Sequence, residues 1–152
     1  MYKYNVVKTN RRIMLENLRK GLKKQVQWAD LYMGEEWSHA FPESIIQERI
    51  RRLREKMENC TYHIPEVSVQ SNSNQDKLSN HVAQIADLDM LLIERERQMQ
   101  YIESVQDDQM RKILSYRFIL CKTWGEISKC IGDYYSDDYV RINCNRFLAK
   151  AE

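Results

Sequence analysis

Apolar residues recur at intervals of three and four along almost the whole chain, a spacing that places them on one side of an α-helix. Residues that interrupt helices are scarce, since the 152 residues include only four Gly and two Pro. No stretch alternates apolar and polar residues between turn residues as a β-strand does. The sequence therefore predicts an all-α protein, with enough apolar residues for one ordinary domain or two small ones.

Interruptions of the helical pattern divide the chain into three predicted segments: an N-terminal helical extension over residues 1–43, a long helical hairpin over 44–106 and a helix-turn-helix domain over 107–152. In the first segment Thr9 is placed as an N-cap, and the helix after it continues to Met33. Gly34 and Pro42 then interrupt the helix. The aromatic residues between them, Trp37 and Phe41, are expected to fold back with His39 as a small cluster over the helices.

The middle segment is predicted to form the coiled-coil body of the molecule. Ser44 is placed to cap its first helix, the polar residues 60–75 to form the loop, and Gln75 or Asp76 to begin the second helix. The apolar positions of both helices follow the spacing of a coiled coil, with Arg95 as the one polar position in the second. These positions are Ile46, Ile50, Leu53, Met57, Ile85, Leu88, Leu92, Met99 and Ile102.

The second helix of this hairpin needs a packing partner, because roughly thirty residues at about 1.5 Å each exceed the length that a compact domain requires. The first helix is expected to pack against it in the antiparallel direction. The remaining apolar surface suits either the N-terminal helix, which gives an intramolecular three-helix bundle, or a second subunit, which gives a homodimer. The sequence leaves both arrangements open.

The last segment has the pattern of a supporting helix followed by two short helices. Thr123 is placed to cap a helix that Trp124 begins and Ile131 ends, and Gly132 follows as a residue that can stop a helix. Ser136 is placed to cap the final helix, whose first turn holds two aspartates. Two short helices joined by a glycine turn suit the major groove of DNA, so this segment predicts DNA binding.

Charge is divided unevenly along the chain, although the net charge is only +2. Residues 1–60 carry 13 basic and eight acidic side chains, residues 61–110 three and nine, and residues 111–152 eight and five. Both ends of the chain are therefore able to meet phosphate groups, whereas the middle is not. A cluster of four basic residues on the first helix is a possible contact for phosphate or for an acidic protein: Arg19, Lys20, Lys23 and Lys24.

Several function classes lack the sequence features that they need. No apolar run is long enough to cross a membrane, and the first residues have no apolar core of a signal peptide, so we expect a cytoplasmic protein. The four cysteines, Cys60, Cys121, Cys130 and Cys144, are widely spaced and are expected to be buried thiols rather than metal ligands or disulfides. No nucleophile, base or phosphate loop is recognisable, so no enzyme and no cofactor are predicted.

The segment from Val69 to the C-terminus, about 85 residues, resembles small phage and prophage proteins with a sigma-factor region-4-like domain, similar to the ArpU-type and RinA-type late transcription regulators. The shared motifs are a VQSxxxQDK loop, an acidic and apolar long helix, and the patterns RxILxxRFI, TWxEIS and SxxxV. The turn between the last two helices, at Asp133 and Tyr134, is two residues longer than in that family. Nothing comparable was identified for residues 1–43.

The resemblance implies roles for residues of the last segment. Trp124, Ile127, Ile131, Val140 and Leu148 would pack the helix-turn-helix, and Arg111 and Arg117 would belong to the supporting helix. Asp137, Asp138, Arg141 and Ile142 would meet bases of a promoter. Further contacts with the DNA backbone are expected from four polar residues and a tyrosine near these positions: Lys122, Thr123, Tyr139, Asn145 and Arg146.

The leading prediction is thus a phage-type transcription regulator that binds double-stranded DNA in a bacterial host cell, as a homodimer or together with host RNA polymerase. A second reading is an interaction protein that uses the helix-turn-helix as a scaffold to inhibit a host protein, such as one of a defence system. A third reading is a small terminase subunit, which would require a ring of subunits.

Overall fold

The computed structural model describes residues 2–62, 72–132 and 134–150, and all regular structure within these ranges is helical. The described ranges contain six α-helices: α1 Tyr2–Tyr32, α2 Pro42–Tyr62, α3 Asn72–Glu103, α4 Asp108–Leu114, α5 Trp124–Ile131 and α6 Asp137–Lys150. A short 3₁₀-helix at Glu35–Trp37 separates α1 from α2, and a π-helical turn at Ser115–Ile119 extends α4. The predicted all-α class is confirmed.

Three helices begin earlier than the sequence predicts. Helix α1 begins at Tyr2 and so includes Thr9, because no Gly or Pro precedes Thr9 to stop it. Helix α2 begins at Pro42 rather than after Ser44, since proline suits the first position of a helix, where its missing N–H is not needed. Helix α3 begins at Asn72, so the predicted loop 60–75 is shorter at both ends, and residues 63–71 lie outside the described residues.

Helices α1, α2 and α3 pack against one another within the chain. Glu43 at the start of α2 lies 3.2 Å from Arg95 in the second half of α3, as an antiparallel pair of helices requires. On the other side of α3, a Cβ atom added to Gly21 of α1 would lie 2.8 Å from the Leu91 Cδ1 atom. The glycine that weakens α1 as a helix is therefore also the position of its close approach to α3.

A buried glutamine connects α1 to α3. The side chain of Gln98 is fully buried, and its oxygen accepts a hydrogen bond of 2.9 Å from Arg11 Nη1. Its amide nitrogen donates to the Glu94 carboxylate at 2.6 Å, and the Arg11 guanidinium lies 3.9 Å from the centre of the Tyr101 ring. A buried amide without these partners would be costly, so the contact selects one alignment of α1 along α3.

One hydrophobic core extends through the three predicted segments. It contains Leu15, Leu18 and Leu22 of α1 together with residues of α2, α3, α4 and the last two helices. The members from the C-terminal part include Leu114, Phe118, Ile127, Val140, Cys144 and Leu148. Helix α1 also contacts the π-helical turn and α6, so it packs against the C-terminal segment as well as against the hairpin.

A second, smaller core lies under the connection between α1 and α2. It consists of Ala29, Met33 and Ile45, and Trp37 packs against it as the sequence predicts. The prediction is wrong for the two neighbours of Trp37, because His39 is exposed and Phe41 is 63% exposed. Once Pro42 starts α2, Phe41 lies just before the helix and outside this cluster.

The cysteines are not all buried thiols. Cys144 is fully buried in the main core, and burial raises the pKa of its thiol to about 12, which keeps it protonated. Cys121 is partly buried and Cys130 is exposed, so the prediction is wrong for Cys130, and the Cys60 side chain lies outside the described residues.

Within the described ranges, no three or more His, Cys, Asp or Glu side chains are grouped to hold a metal ion. No helix in those ranges combines the length and apolar character of a bilayer-spanning segment.

Candidate nucleic-acid interface

The N-terminus of α5 is capped within the chain, as the sequence predicts. Thr123 accepts a hydrogen bond of 3.3 Å from the Glu126 N–H, and the Glu126 carboxylate accepts one of 2.7 Å from the Thr123 N–H. The Thr123 backbone N–H and then its hydroxyl hold the pKa of Glu126 below its usual value. Thr123 was predicted to hold a phosphate at this position, but the Glu126 carboxylate already occupies it.

The loop before α5 is fixed by contacts that the sequence did not indicate. The Arg117 guanidinium lies 4.2 Å from the centre of the Trp124 ring, and its Nη1 atom donates a hydrogen bond of 3.2 Å to the Lys122 carbonyl. Cys121 has a φ of 58°, a left-handed conformation that is uncommon for residues other than glycine. It follows the π-helical turn, in which the Leu120 N–H donates to the Ser115 carbonyl.

Lys122, the predicted phosphate contact, is half-buried at this loop. Its Nζ atom lies 5.5 Å from the centre of the Tyr116 ring and 4.0 Å from the sulfur of Cys130. No carboxylate lies within ion-pair distance of it in the described part of the chain. The ammonium group lies close enough to Glu126 to help lower the pKa of that carboxylate, but it forms no ion pair with it.

Asp137 joins α6 to α5. Its Oδ1 atom accepts a hydrogen bond of 2.8 Å from the Ser128 hydroxyl. A Cβ atom added to Gly125 would lie 3.3 Å from its Oδ2 atom, so the glycine leaves room for the carboxylate. The resemblance placed Asp137 among the base contacts, whereas in the structure its carboxylate is used to connect the two helices.

The turn between α5 and α6 follows the predicted residues where it is described. Gly132 has a φ of 136°, which favours glycine, and its N–H donates to the Ser128 carbonyl at the end of α5. Ser136 caps α6 by accepting a hydrogen bond of 3.2 Å from the Tyr139 N–H. Asp133, one of the two added residues of the turn, lies outside the described residues, and the other, Tyr134, is 99% exposed.

Helix α6 has a buried side and an outward side. Val140, Cys144 and Leu148 are buried, and Trp124, Ile127 and Ile131 of α5 are buried or partly buried. The outward side carries most of the predicted contact residues in exposed or half-buried positions: Asp138, Tyr139, Arg141, Ile142, Asn145 and Arg146. The helix pair thus presents these side chains on one accessible surface.

The two halves of this surface differ chemically. In the first half, Asp138 forms an exposed ion pair of 3.2 Å with Arg141. Tyr139 stacks on Tyr135 with 5.2 Å between ring centres, and Ile142 is 40% exposed. In the second half, Arg146 and Lys150 are exposed and have no acidic neighbour in α6 after Asp138. Positive charge therefore increases toward the C-terminus of α6.

The four basic residues of α1 lie near the start of α5. Lys20, Lys23 and Lys24 are exposed, and Arg19 is half-buried. The Cys121 sulfur lies 3.8 Å from the carbonyl oxygen of Arg19. Packing of α1 against the π-helical turn therefore brings together two basic sets that are about one hundred residues apart in the sequence.

Comparison of the chain with protein-family models, with curated proteins and with solved structures gives no match. The resemblance to sigma region-4-like phage proteins thus rests on the motifs quoted above.

Proposed function

We propose that the protein is a phage-type transcription regulator that binds double-stranded DNA, with α6 lying in the major groove. The observation that carries the proposal is the outward side of α6, where Arg141, Ile142, Asn145 and Arg146 are accessible and α5 packs behind them. A short helix held in this way against a second one, with a glycine turn between them, suits a helix-turn-helix.

The side chains of α6 match the chemistry of base recognition. Arg141 is able to donate two hydrogen bonds to a guanine, and its ion pair with Asp138 is exposed, so that exchanging the carboxylate for a base costs little. Asp138, once released, is able to accept from the amino group of a neighbouring cytosine. Asn145 and Arg146 lie farther along the helix and suit the sugar-phosphate backbone.

The rest of the proposal follows the resemblance. Helices α1, α2 and α3 would form the body that pairs two subunits or contacts host RNA polymerase. Two copies of α6 would then meet sites about 34 Å apart, one turn of the double helix. A homodimer, a promoter and an RNA polymerase contact are therefore parts of the same hypothesis.

A binding selection tests this function. Duplexes enriched from a random pool by the wild-type protein are compared with scrambled duplexes at a fixed salt concentration, using fluorescence anisotropy. We expect Arg141→Ala to reduce the preference for the enriched sequence by about tenfold or more, since one good base contact contributes about 1–3 kcal/mol. Light scattering on the same samples reports whether the bound species is a dimer.

The matched control is Arg97→Ala. Arg97 is an exposed arginine that forms a 3.1 Å ion pair with Glu94 three residues earlier, as Arg141 does with Asp138. The two substitutions remove the same charge and the same kind of local pair. Equal preference in the wild type and Arg141→Ala, or no enrichment of any sequence, would contradict the proposal.

A second candidate function has one observation in its favour. Tyr134, Tyr139 and Ile142 are exposed beside Asp138, and such an aromatic and acidic surface suits a protein partner better than phosphate. In this case the helix pair would be the scaffold of an inhibitor of a host protein. Tyr134→Ser would then abolish capture of one stoichiometric host partner and leave DNA binding unchanged; capture that survives this substitution would contradict the inhibitor hypothesis.

A further inference from the structure

In the part of the chain that the structure describes, four basic side chains of α1 form no ion pair, whereas four arginines of α2 and α3 are paired with carboxylates. Arg51 and Arg52 of α2 bind Glu48, Arg95 binds Glu43, and Arg97 binds Glu94. In the described ranges, by contrast, Arg19, Lys20, Lys23 and Lys24 form no ion pair. Their charges are therefore available to a partner.

The positive charges of α1 lie next to the positive charges at the start of α5. Burial raises the pKa of the Cys121 thiol, and Arg19, Lys23 and Arg117 oppose the increase because all three lie close to it. Lys122 follows Cys121 directly in the chain. Two carboxylates lie beside these charges, Glu16 near Arg117 and Glu126 near Lys122, so the surface keeps an excess of positive charge.

The spacing of the lysines suits a phosphate backbone. Lys20 and Lys24 are one helical turn apart, about 6 Å along α1, while double-stranded DNA carries about one charge per 1.7 Å of its length. Exposed lysines on flexible stems meet phosphates as point charges and read no bases. An acidic protein is the other possible class of partner, but it does not explain why the surface continues into the loop that leads to α5 and α6.

We propose that Lys20, Lys23 and Lys24 of α1, together with Lys122, form a second DNA contact that binds the phosphate backbone beside the groove read by α6, independently of sequence. The choice of DNA as partner rests on the proposed function. This contact gives α1 a role in affinity, whereas α6 has the role in sequence preference. Removing the α1 charges should therefore weaken binding to every duplex by the same factor.

The test is a salt series with a random-sequence duplex and with an enriched duplex, again by fluorescence anisotropy. The triple variant Lys20→Gln, Lys23→Gln, Lys24→Gln is compared with the wild type. We expect the slope of log affinity against log salt to decrease by about three, one for each lost phosphate contact, and the affinity for both duplexes to fall by the same factor, about tenfold or more at low salt. All three positions are exposed, so the variant should keep the unfolding temperature of the wild type.

The control removes three other exposed charges, Arg54→Gln, Lys56→Gln and Lys77→Gln, from the C-terminal half of α2 and the start of α3. We expect it to change the slope by less than about one, because salt screens charges at a distance. A wild-type slope in the α1 variant, or an equal decrease in the control, would overturn the α1 contact. The α1 contact would also be overturned if the wild-type protein bound no random duplex at low salt but bound an acidic protein through α1.

This contact and the proposed role of α6 fail in different ways. If Arg141→Ala removes sequence preference and the α1 variant behaves as the wild type, only the α1 contact is wrong. If the wild type binds all duplexes equally and the α1 variant lowers the slope, only the sequence-reading role of α6 is wrong.

Discussion

Glu126 is a carboxylate that the protein places at the positive end of its own helix. Its oxygen accepts hydrogen bonds from the Thr123 N–H at 2.7 Å and from the Thr123 hydroxyl at 3.1 Å. These bonds form only in the folded state and favour the charged side chain, which is why the pKa is lowered. Stability at α5 is thus linked to pH.

The sign of this linkage gives a prediction. The unfolded chain binds a proton near the ordinary value of 4.5, and the folded chain binds it only at lower pH. The contribution of Glu126 is complete above pH 4.5 and is lost as the pH falls through the folded pKa. We expect Glu126→Gln to lower the urea midpoint at pH 7, and we expect its difference from the wild type to shrink as the pH falls below 4.5.

The control for this experiment is Glu96→Gln, which removes the same charge from an exposed position of α3. The change in the urea midpoint of Glu96→Gln measures the effect of the changed net charge alone. A difference between wild type and Glu126→Gln that stays constant from pH 7 to pH 3 would show that the carboxylate has no special role in the cap.

Local side-chain chemistry explains which helix ends could be predicted. Thr123, Gly132 and Ser136 bond to the backbone within a few residues of their own position, so the sequence nearby contains the whole cause. The early starts of α1 and α3 lack such a signal, since a helix continues wherever nothing stops it. The candidate interface could be predicted only in part for a similar reason. Asp137 bonds to Ser128, and this partner can be identified only once α5 and α6 are in contact.

At the scale of elements, the close approach of α1 to α3 depends on a position without a side chain. Gly21→Ala alone should gain about 1 kcal/mol of helix stability, but the added methyl group would lie 2.8 Å from the Leu91 Cδ1 atom. We expect a gain well below 1 kcal/mol in the wild type and the full gain in a Leu91→Ala background. Chemical unfolding of the four proteins in this double-mutant cycle measures the coupling.

Leu92→Ala supplies the matched background for this cycle. Leu92 is also partly buried and packs against the same core, but it is not among the nearest atoms to Gly21. Gly21→Ala should therefore change the free energy of unfolding by the same amount whether position 92 holds leucine or alanine. Additive effects of Gly21→Ala and Leu91→Ala would mean that the two helices are farther apart than 2.8 Å implies.

Apolar spacing predicted that α2 and α3 pack together, yet it left open what covers the rest of α3. The reason is that α1 and a second subunit would bury the same apolar positions, and spacing alone does not distinguish them. In the structure, Gln98 bonds to Arg11 of the same chain, so α1 packs against this part of α3. The sequence does not indicate this role for Gln98, because position 98 lies directly before Met99 in the predicted apolar spacing.

At the scale of the whole molecule, the continuous core predicts that α1 stabilises the candidate interface. Leu18 is 2% exposed and belongs to the cluster that includes Phe118, Ile127 and Cys144. Leu18→Ala should cost about 2–5 kcal/mol. If the core unfolds as one unit, hydrogen exchange should accelerate in α5 and α6 as much as in α2.

Leu31→Ala is the control, because Leu31 lies on the same helix and is 77% exposed. It should change exchange rates little in any helix. Faster exchange in α1 and α2 with unchanged protection of α5 and α6 would instead mean that the C-terminal helices fold as an independent unit.

The buried amide of Gln98 also has a consequence for how the sequence is able to change over evolution. Gln98 depends on Arg11, and the two are 87 residues apart in the chain, so losing Arg11 leaves the buried amide oxygen without its partner. Among homologous chains, positions 11 and 98 are therefore expected to vary together. Positions 20, 23 and 24 have no such constraint, and there lysine and arginine should replace one another freely as long as the charge is kept.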